Sequence, residues 1–222
     1  KEVGMSNPTT WIGTSRQASE WGVRPGIILN PPRLVLEAGT VLAFVVSILV
    51  ANYALAAFPN VKPFDLMVFV AGYSLGFRRG VTVAVVAWLV YGNFNPYGSS
   101  GMPLLLVLMA SETVYAGAGA MLRRVIAPDN VRALPSQSSL VFGGAAIVCT
   151  LAYDVVTNLY TGISWAYMTQ STDYSRWIFI ALTNPGALFF TAAHLSSNFL
   201  FFTAFAPVLI KMLKRLSPGD AR

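Results

Sequence analysis

Three ionisable side chains lie inside long apolar stretches, where such groups are rare. Glu112 and Asp154 are carboxylic acids, and His194 is the single histidine of the chain. Asn158 follows Asp154 by four residues and Asn198 follows His194 by four, so each pair shares one helical face. In lipid these groups must pair with each other or face a polar cavity. They can bind a polar solute, lock helices together, or do acid–base chemistry.

Other chemistries lack their residues. The sequence has no glycine-rich phosphate loop of the Walker type, no HExxH motif and no Ser-His-Asp order. One histidine and the distant Cys149 do not make a typical zinc site, so we expect neither a metal nor a cofactor. No nucleophile is positioned near Glu112, Asp154 or His194, so we expect a protein without enzymatic activity.

The elements that carry these residues are those of an all-α membrane protein. Hydrophobic residues make up 55% of the chain and charged residues only 11%, with a mean hydropathy of +0.59. Such values lie outside those of soluble domains. Six apolar segments predict six transmembrane helices, at 34–58, 63–78, 80–95, 103–124, 138–164 and 186–213. Residues 34–215 form the predicted transmembrane domain, between tails at 1–33 and 216–222. Pro25, Pro31 and Pro32 argue against a long helix in the second half of the first tail.

The distribution of basic residues predicts the orientation. With the N-terminus inside, Lys62 and Arg176 lie outside, and the other thirteen of the fifteen Lys and Arg residues lie on the inner side. Basic residues accumulate in cytoplasmic loops, so both termini are predicted to be cytoplasmic in a multi-pass protein of the plasma membrane. The pair Arg78-Arg79 marks the predicted inner turn between the second and third segments.

This orientation places Glu112, Asp154 and His194 at a common depth, roughly 12–14 Å below the outer surface at 1.5 Å per residue. Two interpretations follow. One is a buried hydrogen-bonded network, with Asp154 bonded to His194, that locks helices together. The other is a pocket open to the outside that binds a polar solute. The predicted substrate-binding residues are Asn93, Asn95, Tyr97, Glu112, Tyr115, Asp154, Asn158, His194 and Asn198.

Two outer loops suit a pocket. Loop 93–102 has no charge but many amides and hydroxyls, and its Asn93, Asn95 and Tyr97 would form a lid. Loop 165–185 mixes aromatic and polar residues, which suits stacking on a flat ring. Ordinary solvent-facing loops with interfacial aromatics would show the same composition.

The first segment carries a small residue at every fourth position: Gly39, Ala43, Ser47 and Ala51. We call these four residues the small-residue stripe. Such stripes let helices approach closely in lipid, where packing drives association. The partner is either another helix of this chain or a separate membrane subunit.

Together these features resemble the S-components of energy-coupling factor (ECF) transporters. The resemblance covers residues 34–215 and rests on the six-helix layout, the small-residue stripe, YDVVTNLYTG in the fifth segment and NPGALFFTAAHLSSNFLFF in the sixth. It implies capture of a vitamin or similar micronutrient from outside. It also implies docking, through the first helix, to a transmembrane coupling subunit driven by two cytoplasmic ATPases. S-components usually carry Ala-xxx-Ala there, whereas this chain has the stripe Gly39/Ala43/Ser47/Ala51.

Two other functions compete with substrate capture. A structural or accessory subunit of a larger membrane complex would use the polar residues to hold helices together and the small-residue stripe as a permanent interface. An intramembrane enzyme would use Glu112, Asp154 and His194 as acids and bases.

Overall fold

The computed structural model describes residues 31–58 and 60–216, and this part of the chain is helical, with no strand. The helices are α1 (Pro31–Ala54), α2 (Phe64–Leu75), α3 (Phe77–Phe94), α4 (Met102–Val125), α5 (Gln137–Met168), α6 (Tyr174–Thr183) and α7 (Pro185–Leu216). A 3-10 turn, Pro128–Asn130, lies between α4 and α5. Contacts group the described residues from Ala38 onwards, 38–58 and 60–216, into one compact unit. The predictions for residues 1–30 and 217–222 concern residues outside the described part.

Four described helices are long and apolar enough to cross a membrane: Val35–Ala54 of α1, α4, α5 and α7. Their outward faces carry large apolar side chains such as Val50, Leu106, Val148 and Leu200, each more than half exposed. An apolar exterior of this kind suits contact with lipid tails. The membrane class predicted from composition is therefore supported by four spans rather than by the six that were expected.

Helix α2 lies at the centre and packs against α3, α4 and α7. It has twelve residues, about 18 Å at 1.5 Å per residue, which is short of the roughly 30 Å of a bilayer core. Nine of the twelve are buried, including Phe64, Asp65 and Phe69. A short helix is tolerated here because protein, not lipid, surrounds it.

Glycines permit the close packing of α2 on α4. A methyl group on Gly119 would collide with the carbonyl oxygen of Phe69, and one on Gly72 with that of Ala116. The backbones of the two helices are thus in direct contact, as small residues allow in membrane proteins. This contact fixes the depth of α2 in the bundle.

Three boundaries differ from the sequence prediction. Helix α1 begins at Pro31 rather than 34, because proline is tolerated in the first turn of a helix. The α2–α3 turn lies at Gly76, whose φ of +92° suits glycine, and Arg78 and Arg79 belong to the first turns of α3. Segment 165–185 is not a loop, since it holds the end of α5 and all of α6.

Helix α6 is stabilised by a side-chain cap at its N-terminus and by packing against α5. The Asp173 carboxylate accepts the Arg176 amide at 3.0 Å and the Ser175 hydroxyl at 2.8 Å, which caps the N-terminus. These hydrogen bonds, first that of the Arg176 amide, hold the pKa of Asp173 below its usual value. At Gly162 the backbone of α5 contacts that of Ile178, and Trp165 meets Trp177 edge to face. The aromatics of this segment therefore pack α6 onto α5.

On α1, Phe44, Val45 and Ile48 are buried in the core. The small-residue stripe lies elsewhere on the helix: Gly39, Ala43 and Ser47 are exposed, and Ala51 is partly exposed. Nothing lies within 4 Å of the position a Cβ would take on Gly39. In the described part of the chain, the stripe is therefore not the face that packs α1 against this protein.

The tight α2–α4 contact predicts the effect of a single methyl group. Gly119→Ala should lower the free energy of unfolding by about 1–3 kcal/mol, because the backbones must separate. Gly144→Ala, at an exposed helical glycine with open space around it, is the matched control and should not destabilise. Unfolding by denaturing detergent measures both; equal effects would mean that the close contact is absent.

Candidate functional site

His194 of α7 lies between two carboxylates from two other helices. Its Nε2 is 2.6 Å from Oδ2 of Asp65 on α2, and its Nδ1 is 2.8 Å from Oδ1 of Asp154 on α5. A neutral imidazole has one N–H, so two such contacts with carboxylate oxygens require two shared protons. Either the ring is an imidazolium or one acid is protonated. The triad Asp65–His194–Asp154 therefore ties α2, α5 and α7 together by charge-assisted hydrogen bonds.

A second set of hydrogen bonds extends the triad by one helical turn. The side-chain amide of Asn198 lies 2.7 Å from Oδ2 of Asp65 and 2.8 Å from Oγ1 of Thr150. The Tyr115 hydroxyl joins Thr150 at 2.9 Å, which adds α4 to the network. Asn198, Thr150 and Tyr115 are fully buried. These bonds hold Asp65 in place, and they leave its Oδ1 buried without a hydrogen-bond partner among the described residues.

Glu112 on α4 is also fully buried; it lies close to Asp65 and bonds to Trp88 on α3. Its Oε2 accepts the indole N–H of Trp88 on α3 at 3.1 Å. Its Oε1 has no hydrogen-bond partner in the described part of the chain. Glu112 therefore positions Trp88, whose ring reaches the cavity described next.

A cavity of about 260 Å³ lies beside the triad. Its polar lining comes from the α1–α2 linker, α5 and α7, and its aromatic lining from α3, α5 and α7. The lining residues are Asn60, Lys62, Trp88, Leu108, Tyr153, Asp154, Thr157, Asn158, Ala187, Phe190 and Thr191. Polar groups that converge within an apolar helical protein are typical of a small-molecule site.

The α1–α2 linker places Lys62 in this cavity. Asn60 has a φ of +57°, a left-handed conformation that asparagine tolerates better than most residues, and its amide donates to the carbonyl of Phe190 on α7 at 3.0 Å. The Lys62 ammonium then lies 5.0 Å from the centre of the Tyr153 ring and 5.4 Å from that of Trp88. Both distances are within the range of cation–π attraction.

A second cavity, of about 170 Å³, adjoins the linker from the other side. Lys62 and Asn60 line both cavities, and the second is completed by Asn52 of α1 and by Tyr91 and Tyr97. The Tyr97 hydroxyl donates to the carbonyl of Ala56, so loop 93–102 is attached to the linker.

Only some of the predicted substrate-binding residues line a cavity. Asp154 and Asn158 line the first cavity, and Tyr97 lines the second. Glu112, Tyr115, His194 and Asn198 are buried and line neither cavity. Asn93 is exposed and bonds back to Leu89 of its own helix, and Asn95 is used within its loop, where it accepts the Tyr97 amide.

The residues of the site that were missed from the sequence include Asp65, Lys62 and Trp88. Asp65 starts an apolar segment, where it resembles an interfacial charge, and Lys62 precedes it as one of two basic residues placed outside. The signal that points to both is the same. They are ionisable residues at the edge of the segment least able to span a bilayer, which protein must therefore bury.

The part of the chain that the structure describes has no group of three or more His, Cys, Asp or Glu side chains arranged around a possible ion. Both nitrogens of His194 are bonded to carboxylates instead. No protein-family model, curated protein or solved structure matches this chain. Its function is therefore argued from the residues themselves.

The triad predicts a large effect of removing its centre. His194→Ala leaves Asp65 and Asp154 buried without their shared donor, so the free energy of unfolding should fall by about 3–5 kcal/mol. Ser196→Ala, at an exposed position of the same helix, is the control and should change it little. Denaturing-detergent titrations of the two variants test this; similar losses would show that the triad does not hold the helices.

Proposed function

We propose that this protein is the substrate-capturing subunit of an ECF-type uptake transporter, a multi-pass protein of the plasma membrane that takes a vitamin or similar micronutrient from outside. It has six spans in this proposal, with α2 and α3 completing the four long ones and both termini in the cytoplasm. It performs no reaction itself. Its partners are a transmembrane coupling subunit and two cytoplasmic ATPases.

The observation that carries the proposal is the cavity with its unpaired polar groups. Oδ2 of Asp154 is buried beside it without a hydrogen-bond partner among the described residues, while Oδ1 of the same carboxylate is held by His194. Burying such an oxygen is costly unless a ligand group supplies the missing hydrogen bond. Asp154 differs in this respect from Asp65 and Glu112, which also have a buried oxygen without a partner among the described residues but line neither cavity.

The position of the basic residues supports an outward-facing cavity. At the end of the helices away from the cavity, Arg123 donates to the carbonyls of Tyr73 and Ser74, and Lys214 pairs with Asp129. Arg78 and Arg79 begin α3 at that same end. Because basic residues accumulate on the cytoplasmic side, the cavity belongs on the outer side.

The experiment is recovery of the ligand. We expect protein purified in detergent from its native host to release a small molecule that mass spectrometry detects. Asp154→Asn should retain at least about tenfold less of it, because the amide offers a donor where the ligand needs an acceptor. Asp129→Asn, the same change at the basic end, is the control and should retain it. A wild-type protein that is empty, and that neither a vitamin nor a similar micronutrient such as an amino acid stabilises in a thermal-shift panel, would refute capture.

The small-residue stripe supports the partner in this proposal. Ala43→Phe should abolish co-purification of the ATPase subunits from native membranes, because the ring prevents close helix approach, and should leave ligand recovery unchanged. Val148→Phe, on the exposed face of α5, is the control for a bulky lipid-facing residue. Partner recovery that survives Ala43→Phe would move the docking surface elsewhere. A stable complex without ATPase subunits would favour the structural subunit.

A further inference from the structure

Lys62 carries a charge that no described residue neutralises by direct contact. The residue is partly buried in the cavity wall, and its ammonium has no hydrogen-bond or salt-bridge partner among the described residues. Its contacts are the faces of Tyr153 and Trp88. These rings hold the cation in place but supply no anion. The cavity therefore presents a fixed positive group with its donors unused.

Asp154 presents the opposite group in the same cavity. The side chain of Asp154 is 10% exposed, and its Oδ2 has no hydrogen-bond partner in the described part of the chain. Asp154 and Lys62 do not form a salt bridge with each other, although both line the cavity. Asn158, one turn from Asp154, uses its NH₂ group on the Asp154 carbonyl and keeps its own side-chain oxygen as an acceptor. The acceptors are thus grouped around Asp154, apart from the cation.

The size of the cavity limits what fits between these groups. Its volume of about 260 Å³ equals that of roughly nine water molecules at about 30 Å³ each. This volume lies below the range of about 300–1,000 Å³ that is typical of pockets for drug-sized ligands, so the cavity suits a smaller ligand. Trp88, Tyr153 and Phe190 supply apolar surface for its body.

From these observations we infer that the cavity binds a small zwitterion. The carboxylate of the ligand pairs with the Lys62 ammonium, and its ammonium or N–H group donates to the side-chain oxygen of Asn158 and to the exposed part of the Asp154 carboxylate. A compound with only one charge leaves either the Lys62 ammonium or the acceptors at Asp154 and Asn158 without a partner in the cavity, and a desolvated polar group without a partner is costly. This inference rests on the proposed capture function and names its substrate class.

Two measurements on the wild-type protein test it. The molecule released on denaturation should carry both a carboxylate and a protonated or N–H donor group. In thermal-shift titrations, at least one of proline, leucine and phenylalanine should stabilise the protein. The amide of that amino acid (a cation) and its desamino acid (an anion) should bind at least about tenfold more weakly. A released ligand with one charge only overturns the inference. So does equal stabilisation by one of the singly charged analogues, or an empty protein that none of the three amino acids stabilises.

A variant of Lys62 separates an effect on ligand recognition from an effect on folding, because two ligands are compared on the same variant protein. Lys62→Gln should lose the preference for the zwitterion over its amide, since no cation remains to bind the carboxylate. Lys211→Gln, near the end of α7, is the matched control and should keep the preference. An undiminished preference in Lys62→Gln overturns the inference.

Failure of this inference differs from failure of the proposed function. A released ligand that is a simple anion, in a protein that co-purifies with ATPase subunits, overturns the zwitterion and leaves the transporter. Zwitterion binding by a protein with no ATPase partner supports the zwitterion and overturns the transporter.

Discussion

The contact of His194 with Asp65 and Asp154 is the interaction on which the rest of the structure depends. It joins α2, α5 and α7 where lipid would otherwise favour only loose packing, because apolar helices gain little from burying apolar surface against one another in a membrane. It also gives α2 a reason to be short. Asp65 is the second residue of α2 and contacts His194, so α2 must begin inside the protein at the depth of His194.

The triad also determines the chemistry of the cavity. Because Oδ1 of Asp154 is bound to His194, the carboxylate is held in place beside the cavity, and its Oδ2 is left without a hydrogen-bond partner among the described residues. Glu112 holds Trp88 in place in a similar way, because it accepts a hydrogen bond from the indole N–H. The Trp88 ring lies beside the Lys62 ammonium. Asp154, Trp88 and Lys62 thus line the cavity, whereas His194 and Glu112 do not line it but position Asp154 and Trp88. Preorganisation of this kind reduces the entropy lost when a ligand binds.

The sequence was sufficient for the parts that depend on long periodic segments. Composition predicted helices in a membrane, and the shared depth of Asp154 and His194 anticipated their hydrogen bond. It was insufficient where a residue's role depends on a distant partner. Asp65 is one of two carboxylates on His194, yet 129 residues separate it from the histidine, and its position at a segment edge gave no indication of burial. Segment 165–185 was misjudged for a similar reason, because Gly162 and Trp165 of α5 stabilise α6 through tertiary contacts.

The linker between α1 and α2 connects the two surfaces that the proposed transporter needs. It begins where α1 ends and carries Asn60 and Lys62 into the cavity within a few residues. Hydrogen bonds from Asn60 to Phe190 and from Tyr97 to Ala56 attach it to α7 and to loop 93–102. A ligand that pairs with Lys62 therefore acts on the segment that continues directly into α1, the helix with the small-residue stripe. Coupling between sites requires an element that both sites bias, and in the proposed transporter this linker would be the shortest covalent path from the ligand to the partner.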